Sequence, residues 1–119
     1  MIRFIKASCT LAVVFFAPAA LACDYPERVK VPNGSDAAKD EMVAGQRNIK
    51  KFMADMETYL ACIEEEDKQV RAGIEAPDPI VDAQRDEMLV KKHNAAVEDM
   101  EKVAAEFNEE VRAYKARKD

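Results

Sequence analysis

The sequence predicts an all-α protein: an antiparallel two-helix coiled-coil hairpin preceded by an extended N-terminal arm. Three observations carry that prediction. Two long segments, about 36–72 and 80–117, lack proline and are rich in Ala, Glu, Lys, Met and Arg, the residues that cost least in a helix. Apolar residues recur in both at seven-residue spacing, the period of a coiled-coil seam. The link from Gly73 to Pro79 holds one glycine and two prolines, and a connection so short folds the second helix back along the first.

The chain begins with a segment that reads as a targeting signal. Arg3 and Lys6 make a basic start, residues 7–17 are uncharged, Pro18 breaks the run, and Ala20-Leu21-Ala22 places small residues where a signal peptidase reads them. The run is shorter than the roughly 20 apolar residues that cross a bilayer. Residues 1–22 are therefore expected to be removed, which makes the protein an exported one. Taking away Arg3 and Lys6 leaves 16 of the 18 basic residues against 23 acidic ones, a net charge of −7. An acidic chain without a basic stripe repels phosphates, so nucleic acid is not an expected partner. Residues 23–119 have the length of one domain with a modest core.

Both helices carry their charges where the helix dipole favours them. Asp36, Asp40 and Glu41 open the first, and Asp82, Asp86 and Glu87 open the second. Lys68 with Arg71, and Arg112 with Lys115, close them. Ser35 is the predicted N-cap of the first helix. In that helix Met42, Ile49, Met56, Ile63 and Val70 form one seam row, with Phe52 and Tyr59 between. In the second, Ala83, Val90, Val97, Ala104 and Val111 form the row, with His93, Met100, Phe107 and Tyr114 between. Pairing the rows sets Met42 opposite Tyr114, Ile49 opposite Phe107, Met56 opposite Met100 and Ile63 opposite His93. The residue numbers in each layer sum to 156. Met53 and Leu60 on the first helix, and Leu89 and Val103 on the second, flank this seam. They form a candidate contact surface, to be covered by the arm or by a second copy of the protein.

Cys9 lies in the targeting segment, which leaves Cys23 and Cys62 as the one pair available in an oxidising compartment. The helix from Asp36 to Cys62 rises about 39 Å, and residues 23–35 span at most roughly 40 Å when extended. A bridge is thus within reach if the arm, residues 23–35, runs back along the hairpin. Pro26 and Pro32 favour such an extended path. In that arrangement the arm passes over Met53 and Leu60. Cys23 has two rival roles: one half of an intermolecular disulfide, and the lipidated first residue of a small outer-membrane lipoprotein, the one route by which this chain meets a membrane. Ala20 stands where a lipobox carries leucine, which disfavours the second.

No catalytic constellation is present. His93 is the single histidine, so a His-based acid–base set cannot be assembled from ordinary partners. Cys23, Cys62 and His93 are a zinc set only with reduced thiols, and Met53 with Met56 is a thioether pair for Cu(I). A bridged cysteine pair and two core methionines account for the same residues. The run Glu64-Glu65-Glu66-Asp67 lacks the loop glycine of a calcium site and reads as a solvated helix face. No cofactor, metal or catalytic residue is expected.

Tyr59-Leu60-Ala61-Cys62-Ile63-Glu64, Lys92-His93-Asn94-Ala95-Ala96-Val97 and the stretch from Val103 to Tyr114 resemble small exported helical proteins of Gram-negative bacteria. The resemblance implies a periplasmic location and supplies no activity, partner or site. The expected function is a periplasmic structural or protein-interaction module without catalysis. The alternatives are the lipoprotein and, more weakly, a metal-binding protein.

Overall fold

The computed structural model describes residues 23–117; the expected targeting segment, 1–22, lies outside the described residues. Two helices, α1 (Lys39–Ala72) and α2 (Pro79–Lys115), pack against each other with no strand among the described residues. They run antiparallel: Arg71 reaches Asp86 beside the turn, while Met42 and Tyr114 border one groove at the open end.

The helix boundaries follow local chemistry. At α2, Asp78 is the N-cap, accepting from Ile80 N at 2.9 Å, and Pro79 occupies the first turn, where its missing N–H costs nothing. At α1 the predicted Ser35 cap is wrong. Asn33 takes over: its side chain accepts from Ser35 N and its carbonyl from Ala37 N at 2.8 Å. This turn spends residues 33–36, and α1 starts at Lys39 behind Ala38, which makes no side-chain cap. At the far end α2 stops at Lys115, and Arg117 folds back to donate to the carbonyls of Gly34 and Ala37.

The α1 seam is as predicted through Ile63. Met42, Gly45, Ile49, Phe52, Met56, Tyr59 and Ile63 are all buried, whereas Val70 is 46 % exposed. The α2 seam is not. Ala96 and Val103 are completely buried, one position before the predicted Val97 and Ala104, which are half-buried. Val90 is 56 % exposed, and His93 faces solvent instead of Ile63. Phe107 also sits against Gly45. One position is about 100° of helix rotation, and the cause is a third layer. The arm lies against α2 along Asp99, Glu106 and Glu110, so the centre of the core moves toward that side.

The arm is extended and runs parallel to α2 toward the open end of the hairpin. Cys23, Pro26, Val29 and Val31 turn inward while Asp24, Glu27, Arg28 and Lys30 stay exposed. Val29 and Val31 pack on the cluster of Phe52, Met56 and Val103. Pro32 lies over Gly45, where an added Cβ would come within 2.6 Å of its ring. A helix-interior glycine costs about 1 kcal/mol relative to alanine, and here it makes room for the arm. Every buried residue of α1 lies at or before Ile63, and those of α2 are Ala96 and Val103. The buried core thus coincides with the stretch the arm covers.

Candidate functional site

Two antiparallel helices leave a groove on each side of their seam, and the arm occupies one of them. Cys23 is bonded to Cys62 with the sulfurs 2.04 Å apart. Tyr25 sets its ring edge-on to Tyr59, centroids 4.9 Å apart, and donates its hydroxyl to Asp99. Arg28 pairs with Glu106, and Gly34 N donates to Glu110 Oε2 at 2.6 Å. Glu66 Oε2 stands 3.2 Å from Cys23 Sγ. A bridged sulfur carries no hydrogen, so this is a contact and not a hydrogen bond.

The opposite groove is open, and it holds part of the predicted surface. Residues two apart on a helix point about 200° apart. Leu60 therefore faces away from Cys62, and Met53 from Asp55, a residue that borders the arm beside Pro26 and Val29. The expectation that the arm covers Met53 and Leu60 is corrected by that geometry: a bridge at Cys62 draws the arm to the other flank. The same offset holds on α2, where Val97 and Ala104 lie two residues before the arm-holding Asp99 and Glu106. Met53, Leu60, Val97 and Ala104 are half-buried and border the arm-free groove. Val103 does not belong to it. That residue has no exposure at all and is part of the core. Leu89 is half-buried nearer the turn, beside Ile63, Met88 and Val70.

Val97 and Ala104 were missed because they read as seam. The signal that separates the flanks is the cysteine itself: Cys62 marks the arm side of α1, and seven-spaced Asp99 and Glu106 mark it on α2.

The residues weighed for metal are spread out. Both cysteines are used in the bridge, His93 is exposed, and Met56 is completely buried while Met53 is not. Among the described residues no three His, Cys, Asp or Glu side chains are grouped to hold an ion, and no helix is long and apolar enough to cross a membrane.

Tyr25 is 43 % exposed, so only its inner edge is dehydrated. Burial of that edge, then the hydrogen bond to Asp99, pushes its phenol up from 10.0 to about 12. A raised pKa means the folded protein prefers the protonated phenol. The stabilisation is complete below about pH 10 and is lost as pH rises through about 12. Tyr25→Phe is expected to remove the tyrosinate absorbance that rises near pH 12 and to flatten the loss of stability across that window. Loss instead of absorbance centred near the ordinary 10.0, with unchanged melting across the window, would show that the Tyr25–Asp99 bond does not form.

Comparison of the chain with protein-family models, with curated proteins and with solved structures found no match.

Proposed function

We propose that this chain is an exported structural or protein-interaction module of the periplasm that acts through its arm-free groove and performs no catalysis. One observation carries the reading. The hairpin closes one groove with its own arm, held by a disulfide and by polar contacts to Asp99, Glu106, Glu110 and Arg117, and leaves the other open with Met53, Leu60, Val97 and Ala104 along it. An apolar strip kept free on a scaffold tied down elsewhere is suited to protein contact. The bridge itself fits an oxidising compartment. The lipoprotein alternative needs the Cys23 sulfur that the bridge consumes, and thioether metal binding needs Met56, which is sealed in the core.

Two measurements test this. The intact mass of the protein from periplasm should equal residues 23–119 less two hydrogens, with no acyl increment; an acyl mass on Cys23 would select the lipoprotein. A photo-crosslinking residue at Leu60, introduced in living cells, should capture protein, while one at exposed Thr58, on the arm side, should not. Absence of any Leu60 adduct would defeat the interaction reading.

A further inference from the structure

The row Val90, Val97, Ala104 and Val111 is a sustained seven-residue apolar repeat that the hairpin buries only in part. Inside the molecule α2 buries the neighbouring row, Ala96 and Val103, and leaves this one half-buried or, at Val90, 56 % exposed. On α1 the arm-free flank carries Met53 and Leu60, also seven apart. A heptad row of this length is the imprint of packing against a helix, and α1 of the same chain covers only part of it.

We propose that the arm-free face binds a second copy of this chain. The two hairpins lie side by side with their turns at the same end, so that α1 of each packs on α2 of the other. The proposal rests on the interaction reading above and names its partner. A two-fold axis parallel to the helices keeps every layer at its own height. Met53 then lies over Ala104 of the second copy and Leu60 over Val97, large against small or medium, as dense packing favours. Both pairs sum to 157, the same sum as the Arg71–Asp86 ion pair within one hairpin.

Charge selects this arrangement over its reverse. At the turn end α1 closes on Lys68 and Arg71 while α2 opens on Asp82 and Asp86. The side-by-side dimer sets the bases of one chain over the acids of the other, and the macrodipoles of facing helices oppose. Turning one hairpin end for end, with α1 in full overlap on α1, would lay Arg71 over Lys39. The side-by-side dimer has its own like-charge contacts, Lys39 near Lys115 at the open end and Glu57 near Glu101 in the middle, but all four side chains are exposed and water screens them. Size agrees as well. A 34-residue helix is about 51 Å long, and two helices about 9 Å apart present a face of roughly 800 Å² per protomer, the area of a standard stable interface.

The experiment is sedimentation equilibrium of the oxidised protein lacking residues 1–22, over a wide concentration range, with circular dichroism on every sample. The wild type should sediment as a dimer. Leu60→Asp, which alters two sites per dimer, should weaken it about a hundredfold. Lys68→Glu alone and Asp86→Lys alone should each weaken it about tenfold, because each sets like charges together twice. An equimolar mixture of those two variants should regain the wild-type dimer. In the mixed dimer the acid introduced at position 68 faces the base introduced at position 86, and the native Lys68 faces the native Asp86. Loss of fold cannot imitate rescue on mixing, so the mixture decides even if Leu60→Asp loses helix. A monomeric wild type at all concentrations, or a mixture no stronger than its parts, overturns the proposal. If the Leu60 crosslink then joins a different protein, the interaction reading survives without the dimer; if it joins nothing, both fail.

Discussion

Gly34→Ala is expected to destabilise the protein by about 3 kcal/mol, lowering Tm by more than about 10 °C. An ideal Cβ at Gly34 would stand 1.8 Å from the Glu110 carbonyl oxygen and 3.0 Å from Tyr114 N. Both are helix backbone, which cannot swing aside as a long side chain would. The φ of Gly34 is not positive, so the requirement is one of space and not of backbone conformation. The same approach lets Gly34 N reach Glu110 and its carbonyl accept from Arg117. Moving it away unties the arm's end from α2 and opens the buried Ala37 beside it. Ser35→Ala is the control. Its side chain is exposed and caps nothing, so it should lie within about 0.5 kcal/mol of wild type by urea denaturation. Equal stability of Gly34→Ala and Ser35→Ala would mean that the arm does not close onto α2.

Cys62→Ser is the second large effect, a loss of about 3–4 kcal/mol. The bridge spans a sequence separation of 39, and removing the restraint on a loop of that length restores this much conformational freedom to the unfolded chain. Cys23→Ser should cost the same, the double variant no more than either, and wild type with reductant should melt like all three. That equality is diagnostic. If Cys23 carried lipid, Cys62→Ser would change little and Cys23→Ser would release the protein from a membrane fraction. In all these samples Tyr25 should lose its contact with Tyr59 before the helices melt, because Tyr25–Asp99 and Arg28–Glu106 are exposed contacts and hold the arm weakly without the bridge.

Much of the fold was legible because its determinants are local. The proline-free segments, the acids and bases at the helix ends and the Gly73–Pro79 link depend on residues near one another in the chain, as propensity, dipole and turn chemistry do. The α1 row from Met42 to Ile63 was legible too, because that helix offers one dominant apolar row. The Asn33 turn was missed although Asn33 and Ser35 are both good cap and turn formers. The choice between them is made by Gly34 pressing on Glu110, 76 residues away.

What the sequence by itself determined is the pair of helices, their hairpin and the two cysteines that tie the arm to it. What only the tertiary structure decided is which side the arm takes, and with it which apolar row of α2 becomes core. Leu89, Ala96 and Val103 make one heptad row, and Val90, Val97, Ala104 and Val111 make another about 100° away. Period alone cannot rank two rows of equal spacing. The third layer breaks the tie. Cys62 points away from Leu60, the arm follows Cys62, and Val103 is sealed in the core on which Val29 and Val31 pack, while Val97 and Ala104 are left on the open side.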